Sequence, residues 1–195
     1  MLIRTLRLFL LVLFLASPCF AQTIPKWEVF GGYSYQKSNV REYFKSTPII
    51  YTFRNQNLKL NGFDFSVTEN VNRWLGGTLD FRGHYAKPVV SGTTNRERMY
   101  SIMYGPRFSF PRISFLTPFA HVLLGVAHMN VKVTPTGPRA SGTSFATAAG
   151  GGLDLKFSNN AGIRVVQAEY LRANALGANQ NNFRISAGVI LYLGN

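Results

Sequence analysis

The sequence contains a single cysteine, Cys19, few acidic residues, and no long hydrophobic run after its first 21 residues. One cysteine cannot form a disulfide within the chain, so the fold must hold without covalent cross-links. The most apolar later stretch, 119–129, contains His121 and His128 and is far shorter than the roughly 20 residues that a membrane-spanning helix needs. If the chain enters a membrane, it must do so as β-strands.

The first 21 residues have the three parts of a secretory signal peptide. Two arginines precede an apolar stretch, 8–15, that is too short to span a bilayer. Cys19 and Ala21 occupy the −3 and −1 positions of a cleavage site. We therefore expect residues 1–21 to be removed on export and residues 22–195 to form one domain that has no cysteine.

Positive charge dominates the rest of the chain. The whole sequence has 21 Lys and Arg against 8 Asp and Glu, and removing the two N-terminal arginines leaves 19 against 8, a net charge of +11. Such a charge usually indicates an anionic partner: nucleic acid, lipopolysaccharide phosphates or acidic lipid. Export favours the lipids and argues against nucleic acid.

Apolar and polar residues alternate with a period of two from Trp27 onward, which is typical of β-strands whose faces meet different surroundings. In the clearest case, Leu79 and Phe81 alternate with Asp80 and Arg82. The segment 117–131 is apolar on both faces, so the pattern does not determine which face points inward. The pattern predicts eight strands, in 27–36, 62–67, 74–86, 100–108, 117–131 (the segment just mentioned), 145–157, 166–170 and 183–193.

Longer and shorter connections alternate between these strands. About twenty residues, 37–56, separate the first two strands, whereas only 69–73 separate the second and third. Longer connections are also expected at 87–96, 132–142 and 173–181, and short turns at 109–116 and 158–161. An even-stranded membrane barrel requires short periplasmic turns, longer outer loops and both termini in the periplasm.

The distribution of small and aromatic residues favours a membrane barrel over a soluble sandwich or lipocalin-type barrel. The polar face carries glycine and serine beside its charges, as the crowded interior of a narrow barrel requires. Aromatic residues gather near strand ends, where amphipathic rings meet lipid headgroups. The predicted aromatic girdle comprises Trp27, Tyr33, Tyr35, Trp74, Tyr85, Tyr100, Phe108, Phe157, Tyr170 and Phe183.

Strand length supports the same interpretation. A strand of about eleven residues at roughly 3.3 Å each, tilted by roughly 40°, rises about 27 Å, close to the apolar band of such barrels. We predict an all-β fold, a monomeric eight-stranded antiparallel up-and-down transmembrane β-barrel in the outer membrane of a Gram-negative cell.

Several segments resemble the small outer-membrane β-barrel superfamily that includes the transmembrane domain of OmpA and OmpX-type proteins. They are WEVFGGYSY at 27–35, PFAHVLLGVAH at 118–128, GGGLD at 150–154, RVVQAEY at 164–170 and FRISAGVILY at 183–192. The resemblance covers nearly the whole exported chain. The chain is similar in particular to single-domain outer membrane protein β-barrels, which implies assembly by the barrel-assembly machinery. In the family the last strand usually ends in an aromatic residue, but here Leu193, Gly194 and Asn195 follow Tyr192.

Charged residues of both signs fall on the inward face. An isolated ion there is expensive, so we expect these charges to pair. Because eight strands leave an interior only wide enough for side chains, we favour a lumen plugged by ion pairs, with a narrow pore for small solutes or ions as the alternative. The predicted network comprises Glu28, Asp64, Asp80, Arg82, His84, Arg107, Asp154, Lys156, Glu169 and Arg184.

No catalytic residues, cofactor or metal site are indicated. Small lipid A deacylase barrels use Ser, His and an acid on their lipid-facing surface, but His121 and His128 are seven residues apart and so lie on different faces of a strand. No Gly-x-Ser-x-Gly motif and no His or Cys pair with metal-ligand spacing occurs. We predict a structural or surface-interaction role, with a lipid-modifying enzyme and a soluble periplasmic carrier as remote alternatives.

Basic residues are concentrated in the predicted loops and outer rim, where lipopolysaccharide phosphates lie. The alternative is that these cations are simply solvated. Aromatic residues between them leave nucleic acid as a remote third partner. The cations are Lys37, Arg41, Lys45, Arg54, Lys87, Arg96, Arg98 and Arg139.

Overall fold

The structure is a computed structural model that describes residues 25–46, 50–87, 89–90, 93–110, 115–134, 139–175 and 178–194. Within these ranges, only the backbone is described for 39–46, 50–58, 89–90, 93–95, 131, 133–134, 139–140, 174–175 and 178–180. The expected signal peptide, 1–21, lies outside the described residues and stays a prediction.

One antiparallel sheet contains the nine strands of the described residues, eight of them long. They are β1 (Trp27–Ser46), β2 (Ile50–Asn70), β3 (Leu75–Ala86), β4 (Val89–Val90), β5 (Thr93–Ser109), β6 (Leu116–Thr134), β7 (Arg139–Lys156), β8 (Ala161–Ala175) and β9 (Ala178–Leu193). Each long strand pairs with its neighbour along the chain, and β1 also pairs with β9, so the sheet closes. The predicted eight-stranded up-and-down barrel is confirmed. No helix in the described part of the chain is long and apolar enough to cross a membrane.

The apolar face of the sheet points outward and the polar face points toward the barrel axis. Leu79 and Phe81 are 48% and 40% exposed, whereas Asp80 and Arg82 are 1% and 0% exposed. A barrel in water would show the reverse arrangement, because its apolar residues would fill the interior. The inside-out arrangement is the one that lipid requires.

Strand β6, whose two faces are both apolar, is oriented by its register with β5. Arg107 lies opposite His121, and both side chains are buried in the barrel. Leu123 therefore also points inward, whereas Val122 and Leu124 are about half exposed. Seven residues beyond His121, His128 points outward, as the odd spacing predicts.

A β-bulge in β8 breaks the simple alternation. The register of β8 with β9 shifts between Arg164 and Gln167, and both of these side chains are buried. Without a bulge, residues three apart would face opposite sides of the sheet. Val165 lies between them and is 50% exposed. The irregularity thus brings one more arginine into the barrel interior.

The expected outer loops are mostly strand, which corrects the sequence-based boundaries. β1 and β2 stay paired from Lys37 opposite Lys59 to Ser46 opposite Ile50, so 37–46 and 50–56 are strand and not parts of a loop of about twenty residues. Strands likewise occupy parts of 87–96, 132–142 and 173–181. β-Branched and aromatic residues, such as Val40, Tyr43 and Phe44, favour strand beyond the membrane as well as within it. The connections at the other end are short, as expected: residues 71–74 and 157–160 are turns, and six residues separate β5 from β6.

Two inward-facing glycines allow β1 and β9 to approach closely. Gly32 and Gly188 are directly opposite each other. A Cβ on Gly32 would lie 2.2 Å from the carbonyl oxygen of Ala187, and one on Gly188 would lie 2.3 Å from that of Gly31. A larger residue would push the backbones apart where the barrel is narrow.

Charge on the outer face should destabilise the barrel according to its depth in the membrane. We expect Leu79→Arg, at mid-height of β3, to cost about 2–4 kcal/mol and Leu75→Arg, at the start of β3, about 0–1 kcal/mol, since burial in hydrocarbon is deepest at the midplane. Urea titration of protein folded in lipid vesicles, followed by gel migration before and after boiling, measures both. Equal losses in the two variants would contradict the membrane position assigned to β3.

Candidate functional site

The centre of the barrel interior is built around Arg82. Its guanidinium is paired with Asp64 at 3.1 Å and with Asp80 at 2.8 Å. It also donates to Glu169, through Nη2 at 2.9 Å and through Nη1. Arg82 on β3 and Glu169 on β8 lie on strands four positions apart around the eight-stranded ring, so their contact joins opposite walls of the barrel.

Glu169 gathers a second set of partners. The Nε2 atom of His121 is 2.5 Å from its Oε1, and the amide of Gln167 donates to the same oxygen at 3.2 Å. Arg184 is more distant, with its Nε atom 3.4 Å from Oε2. Since Glu169 is fully buried, these contacts compensate for the loss of its hydration.

A second ionic cluster lies toward the end of the barrel that carries the short turns. Arg107 pairs with Glu28 at 3.0 Å and with Asp154 at 2.6 Å. Arg164 pairs with Asp154 at 2.8 Å and donates to Gln167 at 2.6 Å. Gln167 therefore links this cluster to the one around Glu169.

Aromatic rings cover the two arginines of this second cluster. The guanidinium carbon of Arg107 lies 4.0 Å from the centroid of the Phe119 ring. That of Arg164 lies 4.5 Å from Phe119 and 4.3 Å from Phe30. Cation–π contacts of desolvated arginines add to the ion pairs, so the cluster is held by packing as well as by charge.

An apolar patch lines one side of the interior, along β5 to β8, on the outer side of the ionic clusters. Leu123 and Leu171 each follow, by two residues toward the outer end, the inward-facing His121 and Glu169. They belong to one buried cluster, which contains Met99, Met103, Leu123, Ala127, Ala146, Ala148, Leu171 and Ala173. The facing strands β1, β3 and β9 carry buried polar side chains instead, among them Gln36, His84 and Asn182.

The structure brings together eight of the ten residues proposed for the lumen network: Glu28, Asp64, Asp80, Arg82, Arg107, Asp154, Glu169 and Arg184. His84 instead contacts a hydroxyl, with its Nε2 atom 2.9 Å from Ser34 Oγ. The ammonium of Lys156 lies 4.8 Å from the centroid of the Tyr192 ring. Sequence reasoning missed Arg164, whose position depends on the bulge, and His121, whose strand gave no orientation.

The residues proposed for the aromatic girdle point outward and lie in two bands. Ten residues separate Leu75 from Tyr85 along β3, a rise of about 25 Å for a tilted strand. In the outer band, the hydroxyl groups of Tyr85 and Tyr100 are 3.1 Å apart. The inner band contains Trp27, Trp74, Phe108 and Phe157, and the outer band contains Tyr33, Tyr35, Tyr85, Tyr100, Tyr170 and Phe183.

Acidic and basic residues are segregated between the interior and the outer surface. Six of the eight acidic residues face the interior: Glu28, Asp64, Asp80, Glu97, Asp154 and Glu169. Beyond the outer aromatic band, the described side chains on the outer face include the cations Lys37, Lys59, Lys87, Arg96, Arg98, Lys132 and Arg172. The side chains of Arg41, Lys45, Arg54 and Arg139 lie outside those described. The excess of positive charge is thus displayed at the outer end.

A family model described as "Outer membrane protein beta-barrel domain" matches residues 8–190. Among solved structures, Ail of Yersinia pestis, crystallised with the heparin analogue sucrose octasulfate, is 19% identical, with a TM-score of 0.60 over 86% of this chain and 99% of Ail. Neisserial surface protein A is 16% identical, with a TM-score of 0.64 over 88% and 100% of the two chains. OprG of Pseudomonas aeruginosa is 11% identical, with a TM-score of 0.54 over 89% and 98%. No curated protein matches significantly.

Removing Arg82 and removing Arg184 should have different effects. Arg82→Met removes the guanidinium that pairs with Asp64 and Asp80 and donates to Glu169 in a buried site, and we expect it to cost about 3–5 kcal/mol. Arg184→Met should cost less, about 1 kcal/mol, because Arg184 contacts Glu169 only at 3.4 Å and none of its guanidinium nitrogens has a hydrogen-bond partner among the described residues.

The free energy of unfolding of both variants, from urea titration in lipid vesicles, tests this difference. The matched pair controls for loss of a buried arginine as such. Equal destabilisation by the two variants would contradict the greater dependence of the buried carboxylates on Arg82 than on Arg184.

Proposed function

Since the chain belongs to the outer membrane protein β-barrel family, we propose that it is an outer-membrane barrel with a plugged lumen that serves the envelope through surface interactions and not through transport or catalysis. The monomer is the functional unit, and the outer end meets anionic groups of the cell surface. The ion pair between Arg82 and Glu169 carries the first part of this proposal.

The position of that ion pair supports a plug. It joins β3 to β8 across the axis, and Asp64 and Asp80 hold the same guanidinium from one side. Opening a path there would separate buried charges, which is strongly unfavourable unless water replaces each contact. Buried apolar side chains of β5 to β8, including Leu123 and Leu171, occupy part of the interior on the outer side of these pairs.

The surface role is supported by the charge of the outer end. Most acidic side chains point into the barrel, so the outward cations lack nearby acidic partners on the described outer face. Lipopolysaccharide phosphates are the anions that lie at this height in an outer membrane. In the Ail structure the bound molecule is also a polyanion, the heparin analogue sucrose octasulfate. A basic rim on this chain would attract negative groups of the cell surface.

A catalytic role finds little support in the geometry. Ser34 and His84 are hydrogen-bonded, but both are buried in the lumen, 0% and 1% exposed. The outward-facing His128 bonds to Thr143 through Nδ1 at 2.8 Å. A lipid-modifying enzyme would need its nucleophile and base together on the lipid-facing surface.

The plugged lumen predicts that the folded protein does not conduct. In planar bilayers we expect no steady conductance step, because ions would have to displace the buried Arg82 pairs. A large open porin inserted from the same detergent serves as the positive control. The second candidate, a narrow pore, would be favoured by a reproducible open level in the wild-type protein that Arg82→Met alters, and this result would overturn the plug.

A further inference from the structure

We propose that an outward-facing cleft between β5 and β6 binds a phosphate group of lipopolysaccharide, the phosphorylated glycolipid of the outer leaflet. The β5–β6 cleft is lined by Arg96, Arg98, Tyr100, His128, Asn130 and Lys132 and has a volume of about 320 Å³. The inference rests on the proposed surface role and assigns it a defined site. The volume is at the lower end of the range of small-ligand sites.

The strand register brings three cations of the β5–β6 cleft together. Arg96 lies directly opposite Lys132, and Arg98 lies opposite Asn130. Directly opposite residues have Cβ atoms about 4.5–5.5 Å apart, and residues two apart on one strand are about 7 Å apart. The three charged groups can therefore reach one phosphate.

This arrangement is unfavourable without an anion. Like charges directly opposite each other destabilise a sheet. Glu97, the acidic residue between the two arginines, points into the lumen. The neighbours of the β5–β6 cleft in the sheet provide no acidic residue: Tyr85 lies beside Arg98, Ser141 beside Asn130, and a further cation, Arg139, lies opposite Lys132. A bound dianion would turn the mutual repulsion of the cations into attraction.

The height of the β5–β6 cleft suits a lipid phosphate. Tyr100, at its lower edge, belongs to the outer aromatic band and bonds to Tyr85 at headgroup level. Arg98 and Arg96 lie two and four residues further out, about 5 and 10 Å above that ring. The cleft opens on the outer face of the barrel, where a lipid can reach it from the side.

The donor chemistry also fits a phosphorylated sugar. Arginine presents two parallel N–H groups that match two phosphate oxygens. Asn130 and Tyr100 provide neutral donors at the same site, and the bond of His128 to Thr143 fixes the imidazole at the wall. A site for a bare ion would not require these neutral groups.

The imidazole of His128 gives a local readout of binding. Of the three histidines, His84 and His121 are buried in the lumen, so they serve as internal references in an NMR spectrum of histidine-labelled protein. Folded protein in neutral detergent micelles is titrated with lipid A carrying its phosphates and with dephosphorylated lipid A. We expect the phosphorylated form to shift the His128 signal saturably and the dephosphorylated form to leave it in place.

Two double variants remove equal charge from different sites. Arg96→Gln with Arg98→Gln changes the β5–β6 cleft, and Lys37→Gln with Lys59→Gln changes another outward pair of cations on β1 and β2. We expect the first to raise the Kd for phosphorylated lipid A by about tenfold or more and the second by about threefold or less. Faster gel migration before boiling than after establishes that each variant is folded.

The outcomes separate the cleft from the general surface role. If the wild-type protein binds lipid A but both double variants weaken binding equally, the proposal of a site in the β5–β6 cleft is wrong. The proposed surface role of the basic rim is then retained. If lipid A does not bind at all, both proposals fail. If inorganic phosphate shifts the His128 signal with the same Kd as lipid A, the ligand is not the lipid. An equal shift with dephosphorylated lipid A would contradict recognition of its phosphate.

Discussion

Closure of the sheet in lipid is the constraint on which the other features depend. Hydrocarbon offers no hydrogen bonds, so each backbone N–H and C=O in the membrane must be bonded within the protein. Pairing of β1 with β9 and of β3 with β5 removes every free edge of the long strands in the described sheet. Once the ring is closed, one face of each strand meets lipid and the other meets a narrow interior, and the two faces need opposite chemistry.

The interior chemistry then follows from the loss of water. Buried carboxylates such as Asp64 and Glu169 are tolerated because Arg82 contacts both, Asp64 on the neighbouring strand and Glu169 across the axis. Arg107 and Arg164 play the same part for Asp154 nearer the short turns. Because most of the acidic residues face the interior, the outer end is left basic. The interior network and the cationic rim therefore have the same cause.

The extended hairpins change how the outer surface is built. Paired strands beyond the membrane hold their side chains at fixed heights and registers, which flexible loops do not. The opposition of Arg96 and Lys132 arises in this way. Cations on a flexible loop would have no fixed relative positions. On the paired strands above the outer aromatic band they do, and a defined site becomes possible.

The sequence by itself determined the strand period, the inward and outward faces of most strands, the eight-stranded closed fold and most of the ionic residues. These follow from local alternation, because side chains of a strand point to opposite faces in turn. Only the tertiary structure decided which inward residues meet across the axis, because Arg82 and Glu169 are 87 residues apart and their contact depends on ring closure. It also decided the inward position of Arg164 and the orientation of β6, because a bulge resets the alternation and a strand apolar on both faces takes its orientation from its neighbours.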